Sequence, residues 1–226
     1  MTQLIALLLS VLSTLSISVD ALTADLSLGG TLVLVNRQYT LSQDYEPDDL
    51  VRPNVRKDSS GILMREEAAK ALEEMFAAAK EEMGYQLIAS SGYRSYSTQD
   101  MVFARKVKNT GSRAKAMLLV APPGTSEHQL GLAMDLKCNS VQTLREAFGR
   151  VKEGVWVAEN AHRFGFIIRY KEEWTEITGY SYEPWHVRYV GKEHAQIIYE
   201  MDIPLEEYIS LLRTITEDDY LKGILP

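Results

Sequence analysis

"GTSEHQLGLAMDLKC" (Gly124–Cys138) carries a charged residue where a half-buried strand should have an apolar one to spare. Leu132, Met134 and Leu136 alternate like a strand with one face in a core, yet Asp135 stands between the last two. Side chains on a strand point to opposite faces in turn, so Ala133, Asp135 and Lys137 face away from that apolar row. Ala133 is small and leaves room beside the carboxylate. Gly131 lets the chain turn, so that His128 can come back towards the same side. An imidazole and a carboxylate then approach a common point. Cys138, the sole cysteine, falls on the opposite face; it reads as a small buried hydrophobe and rules out an intrachain disulfide.

Outward from this strand, helices and strands are interspersed. "REEAAKALEEMFAAAKEEMG" (Arg65–Gly84) predicts an amphipathic helix, with Ala68, Leu72, Met75, Phe76, Ala79 and Met83 as its apolar stripe and Gly84 as its stop. "YQLIASSGYRS" reads as a strand ending at a glycine. The helix that follows it is capped by Ser95 or Ser97. Further strands are expected at Thr31–Tyr39, Phe166–Tyr170 and "WHVRYVG". A helix is expected around Val155–Arg163, and closing helices at "KEHAQIIYEM" and "PLEEYISLL". Ser42–Ser60, polar and proline-bearing, reads as a surface lead-in. The connections are too irregular for repeated βαβ units, which predicts an α+β fold: a small, mainly antiparallel sheet with helices packed on it.

The 226 residues, 46% of them hydrophobic, suffice for one sizeable core. A net charge of −7 and a pI near 5.2 argue against a nucleic-acid partner, which calls for a basic patch. "LIALLLSVLSTLSISV" (Leu4–Val19) is apolar, uncharged, and short for a membrane span. With Val19-Asp20-Ala21 as a cleavage site, residues 1–21 are expected to be a signal peptide or membrane anchor, although no Lys or Arg precedes the apolar run. Residues 22–60 are then a lead-in with one strand, and 61–226 a catalytic domain.

A second imidazole comes from "YEPWHVRYVG", where His186 alternates with Trp185 and Val187 and so faces away from them. Two histidines and one aspartate make a three-ligand set with an open position, as a catalytic zinc requires. Glu183 lies three residues before His186, and Pro184 holds it extended. That places a carboxylate where it can act as a general base beside a metal without ligating it. On spacing alone, a histidine near an aspartate is more often a hydrogen-bonded structural pair. Arg94 sits where a strand gives way to a helix, where a guanidinium and free amides can converge on an anion. His162 and His194 lack partners that suggest chemistry, and Asp100, Glu127 and Arg188 carry no specific argument.

"SEHQLGLAMD" (Ser126–Asp135) fits the pattern S-x-H-x-x-G-x-A-x-D, and "EPWH" (Glu183–His186) fits E-x-W-H. With "SGYRSYSTQ" (Ser91–Gln99) and "GFIIRY" (Gly165–Tyr170) in the expected order, the chain resembles the VanY-type D-alanyl-D-alanine carboxypeptidases of the LAS group of zinc peptidases, from about Leu32 to Leu212. The resemblance implies a hedgehog/DD-peptidase-like zinc peptidase fold. It also implies Zn2+ held by His128, Asp135 and His186, Glu183 as base, and Arg94 on the oxyanion or, alternatively, on the substrate's terminal carboxylate. Gln99, Ser126 and Tyr170 match its substrate-pocket positions, although Tyr170 could equally be structural. The implied reaction is hydrolysis of the terminal D-alanine from peptidoglycan stem peptides, outside the cytoplasmic membrane. L,D-carboxypeptidases acting on tetrapeptides and D,D-dipeptidases share this appearance. A zinc-stabilised, non-catalytic cell-wall-binding module and a metal-free surface adhesin are rivals of other classes. Oligomeric state is not legible.

Overall fold

In the computed structural model, which describes residues 2–17, 22 and 25–217, the opening stretch forms a short 3-10 turn (Glu127–Leu130) and then a strand. In chain order the elements begin with α1 (Thr2–Leu15), the two-residue strands β1 (Leu50–Val51) and β2 (Met64–Arg65), and α2 (Glu66–Met83). There follow β3 (Leu87–Ser91), α3 (Tyr96–Thr110), α4 (Arg113–Met117) and β4 (Ala133–Cys138). The chain closes with α5 (Lys152–Asn160), β5 (Phe166–Tyr170), α6 (Thr175–Thr178), β6 (Glu183–Tyr189), α7 (Lys192–Met201) and α8 (Leu205–Glu217).

β3, β4, β6 and β5 lie side by side in that order, every neighbouring pair antiparallel, so the α+β expectation is met. Register matters most between β4 and β6, where Asp135 is directly opposite His186 and Ala133 opposite Arg188. The apolar alternates Met134, Leu136 and Cys138 meet α2 in one core, with Leu72 and Met75 fully buried. Burying side chains of that size stabilises by about 1.5–3 kcal/mol each. α2 ends where expected, on Gly84 at φ 70°, whose N–H bonds to the Lys80 carbonyl. α3 begins on Ser95, whose hydroxyl accepts the Thr98 N–H at 3.2 Å.

Several expectations need correction. Thr31–Tyr39 is not a strand, although its alternation is real: Leu32 and Leu34 join one core, Val33 and Val35 the other. A side chain, not a neighbouring strand, takes two of its carbonyls, for Arg188 Nη2 donates to Thr31 O at 2.8 Å and Val33 O at 2.9 Å. The lead-in 22–60 does more than cover surface. Its Arg56–Asp58 segment borders the sheet, with Asp58 N–H donating to Ala89 O and Ala89 N–H to Arg56 O, both at 2.9 Å. The helix expected around Val155–Arg163 starts earlier, at Lys152, and turns 3-10 over Ala161–Phe164 before Gly165.

The N-terminal apolar stretch is helical over Thr2–Leu15. α1 packs on α7, with Leu8 and Leu12 buried among Ile197, Ile198, Tyr208 and Leu212. Among the described residues no helix is long and apolar enough to cross a membrane. The expected cleavage site at 19–21 lies outside the described residues.

Candidate metal centre

The β4–β6 register brings two of the three expected ligands together, and the 3-10 turn brings the third. His186 Nδ1 is 3.1 Å from Asp135 Oδ1, and His128 Nε2 is 3.3 Å from Asp135 Oδ2. The two imidazoles stand edge to face, 5.0 Å between centroids, and all three residues are buried. One ligand atom from each lies within 4.8 Å of the others. Gly131 makes the turn possible at φ 68°, and a Cβ there would meet Leu50 Cδ2 at 2.8 Å.

Each imidazole is oriented by a second contact. His128 Nδ1 is 2.7 Å from the Gly92 carbonyl, which can only accept, so Nδ1 carries the proton and Nε2 keeps its lone pair. Burial, with Arg94 nearby, pushes His128 down to about 4 against the pull of Asp135, so it stays neutral as a ligand must. His186 differs. Burial lowers its pKa, but the neighbouring carboxylates of Asp135 and Glu127 outweigh burial and push it up to about 9. Asp135 is held well below the usual carboxylate range, its two histidines overcoming the cost of burial.

The remaining expected residues line the same cleft of about 370 Å³. Arg94 Nη2 donates to Asp135 Oδ2 at 3.2 Å, Nε to Ser91 Oγ at 3.1 Å, and Nη1 to Gln99 Oε1 at 2.8 Å. Gln99 in turn donates to the Ala121 carbonyl at 2.7 Å, so it is braced between Arg94 and the far wall. Gln99, Val102 and Lys106 fall on one face of α3 and form one side of the cleft. Ser126 lies beside His128. The Tyr170 ring packs 4.9 Å from the His186 ring and is buried. Glu183 Oε2 is 4.0 Å from His186 Nδ1. Burial pushes Glu183 up to about 7; His186 pulls it down, Asp135 raises it, and Arg94 lowers it. His162, stacked on Tyr199, and His194, bonded to the Tyr208 hydroxyl at 2.7 Å, do not line this cleft.

Sequence reasoning missed a buried ionic cluster behind His186. Glu127 Oε1 accepts from Arg169 Nε and from Arg188 Nη1, both at 2.8 Å. Arg169 is also clamped by Glu206 of α8, at 2.9 and 2.6 Å. The alternation of "WHVRY" could have found Arg188, since two residues beyond His186 on a strand share its face. No local signal separates Glu127 from a solvated glutamate.

Two imidazole nitrogens and a carboxylate oxygen, buried, within 4.8 Å of one another and lining a cleft, fit a three-residue zinc site of the kind that keeps its fourth position for water or substrate. Fold and donor set together define the class as a small α+β metallopeptidase with a His-Asp-His centre. The family model for VanY, described as D-alanyl-D-alanine carboxypeptidase, matches residues 61–192, and the chain belongs to that family.

The chain is 50% identical over 189 residues to YodJ of Bacillus subtilis (strain 168), which is named as a carboxypeptidase; 81% of this chain and 68% of YodJ are covered. It spans 66% and 59% of the lengths of the D-alanyl-D-alanine carboxypeptidases it matches in Enterococcus faecalis (strain ATCC 700802 / V583) and Enterococcus faecium. Among solved structures, the LdcB LD-carboxypeptidase is 48% identical at a TM-score of 0.76, covering 85% of this chain and 92% of that one. A mutant of the vancomycin-resistance D,D-pentapeptidase VanY in complex with Zn(II) is 39% identical at a TM-score of 0.67, covering 79% and 98%.

Proposed function

We propose that the protein is a zinc-dependent carboxypeptidase that removes the terminal D-alanine from peptidoglycan stem peptides on the outer side of the cytoplasmic membrane. The observation that carries this reading is the placement of Glu183, beside His186, and Arg94, bonded to Asp135, in one cleft with the His128–Asp135–His186 set. Zinc held by those three residues would supply Lewis acidity to the scissile carbonyl and to water. Glu183, 4.0 Å from His186 Nδ1 in the same cleft, would be the group that takes a proton from water and passes it to the leaving amine. A pKa close to neutrality suits a group that must do both. Arg94, anchored through Ser91 and Gln99, offers a preorganised cation to the oxyanion or to the substrate's terminal carboxylate. Lys106 adds a second cation to the cleft wall, which favours a substrate ending in a free carboxylate.

D,D- and L,D-specific enzymes share this chemistry, and the likeness to LdcB supports the L,D alternative as a second reading. Incubation with defined pentapeptide, tetrapeptide and D-Ala-D-Ala dipeptide, with products read by mass spectrometry, separates them. D-alanine released from the pentapeptide, and lost on chelation, is expected. Release from the tetrapeptide alone transfers the assignment to the L,D class, and cleavage of the dipeptide alone to the D,D-dipeptidases. A wall-binding module that keeps zinc for stability predicts instead that Glu183→Ala changes nothing.

A further inference from the structure

We propose that Glu127 is a positioning residue for the metal centre: its buried carboxylate accepts the Nε2 proton of His186 and so turns the Nδ1 lone pair towards the cleft. This rests on the zinc reading above and extends it to a residue outside the ligand set. Glu127 is fully buried, and its two oxygens have different surroundings. Oε1 takes both Arg169 and Arg188. Oε2 has no hydrogen-bond partner among the described residues, nor has His186 Nε2, and the two atoms face each other at 3.5 Å. A carboxylate present only to neutralise the arginines would have no reason to aim its second oxygen at an imidazole nitrogen. A shift of a few tenths of an ångström closes the pair to an ordinary N–H···O bond.

The consequence is a pair of opposite tautomers. The Gly92 carbonyl puts the His128 proton on Nδ1 and frees Nε2, while Glu127 puts the His186 proton on Nε2 and frees Nδ1. Those freed nitrogens are the ones that face Asp135. Ligating histidines in general donate their other N–H to an oxygen that fixes ring and tautomer. Glu127 is itself fixed by the arginines, and through Arg169 by Glu206 of α8.

Glu127→Gln tests the idea with little change of shape. The two guanidinium groups require the amide oxygen, which leaves the amide N–H pointing at His186 Nε2. That nitrogen must then accept, and the proton moves to Nδ1. Zinc affinity, measured on chelator-stripped protein against a chromophoric chelator, should fall about 10- to 100-fold. A folded Glu127→Gln protein that holds zinc as tightly as the wild type overturns the proposal, as does one that is destabilised but keeps its affinity.

A second measurement needs no variant. In zinc-loaded wild-type protein the imidazole nitrogen-15 spectrum should show His186 with its proton on Nε2, and a proton on Nδ1 sinks the inference. Wild-type protein that binds no zinc at all sinks the zinc reading and this one with it. Zinc binding through the wrong nitrogen sinks this one alone.

Discussion

Glu127 and Glu183 flank the same imidazole, one behind His186 and one in front, and their surroundings drive them in opposite directions. Glu127 is enclosed by Arg169 and Arg188, so despite burial it is held ionised, far below the usual carboxylate range. Glu183 has no cation dedicated to it, and burial pushes it up to about 7. The difference shows how two identical side chains beside one candidate metal centre acquire different chemical character. A fixed anion can hold a ring in place, whereas a carboxylate poised near neutrality can exchange a proton. What separates them is the count of guanidinium groups within hydrogen-bonding reach.

The most severe way to break the contrast is Glu183→Gln. Removing the base should lower kcat about 10²- to 10⁴-fold in a muropeptide assay. The same change should stabilise the chelator-stripped protein. The folded pKa of Glu183 lies above its ordinary 4.5, so the wild type loses stability as pH rises from about 4.5 to 7, by up to about 3 kcal/mol. Glutamine carries no such penalty, and its advantage in urea unfolding should therefore be larger at pH 8 than at pH 5. Equal stability of the two proteins at both values would mean that burial does not strain Glu183.

Glu127→Ala should behave in the opposite sense. It leaves Arg188 buried with no carboxylate partner and Arg169 with Glu206 alone, and losing one partner of a buried ion pair costs about 3–5 kcal/mol. A depressed carboxylate contributes its stability above its unfolded value near 4.5 and loses it as pH falls. The gap between variant and wild type should therefore narrow in acid, and a gap that widens there would refute the assignment.

Arg94→Ala sharpens the comparison by taking from Glu183 one of the cations that lower its pKa. Loss of a preorganised donor should reduce kcat about 10²- to 10³-fold. The acid limb of kcat/KM, at or below about pH 7 in the wild type because a bound dication favours the carboxylate, should move to higher pH. Lys106→Gln acts in the same direction, since Lys106 is the weakest of the cations that lower Glu183. A KM raised a few-fold, with kcat nearly kept, is expected from steady-state kinetics, and an unchanged KM would remove Lys106 from substrate binding.

The grouping of the candidate donors was legible because its signals are local. Strand alternation separates Asp135 from Met134 and Leu136, and His186 from Trp185 and Val187, and the glycine at 131 announces the turn behind His128. The helix caps at Ser95 and Gly84 were legible for the same reason. Thr31–Tyr39 misled because alternation records which side chains are buried, not what accepts the backbone's hydrogen bonds. Arg188, from the far end of the chain, satisfies those carbonyls in place of a strand. Residues 1–21 read in composition as an export segment or anchor, and that Thr2–Leu15 packs against α7 in particular is something no local pattern announces.

Residue order by itself determined the donors, the faces on which they stand, and the glutamate three positions before a histidine. These follow from the two-residue period of a strand and from turn chemistry, both properties of short stretches. The tertiary structure alone decided that Asp135 and His186 lie opposite each other, and that Arg169, Arg188 and Glu206 converge behind His186 around Glu127. Whether a glutamate is a solvated surface group, a fixed anion or a near-neutral base depends on water excluded and cations gathered from distant parts of the chain. Only the folded chain brings those together.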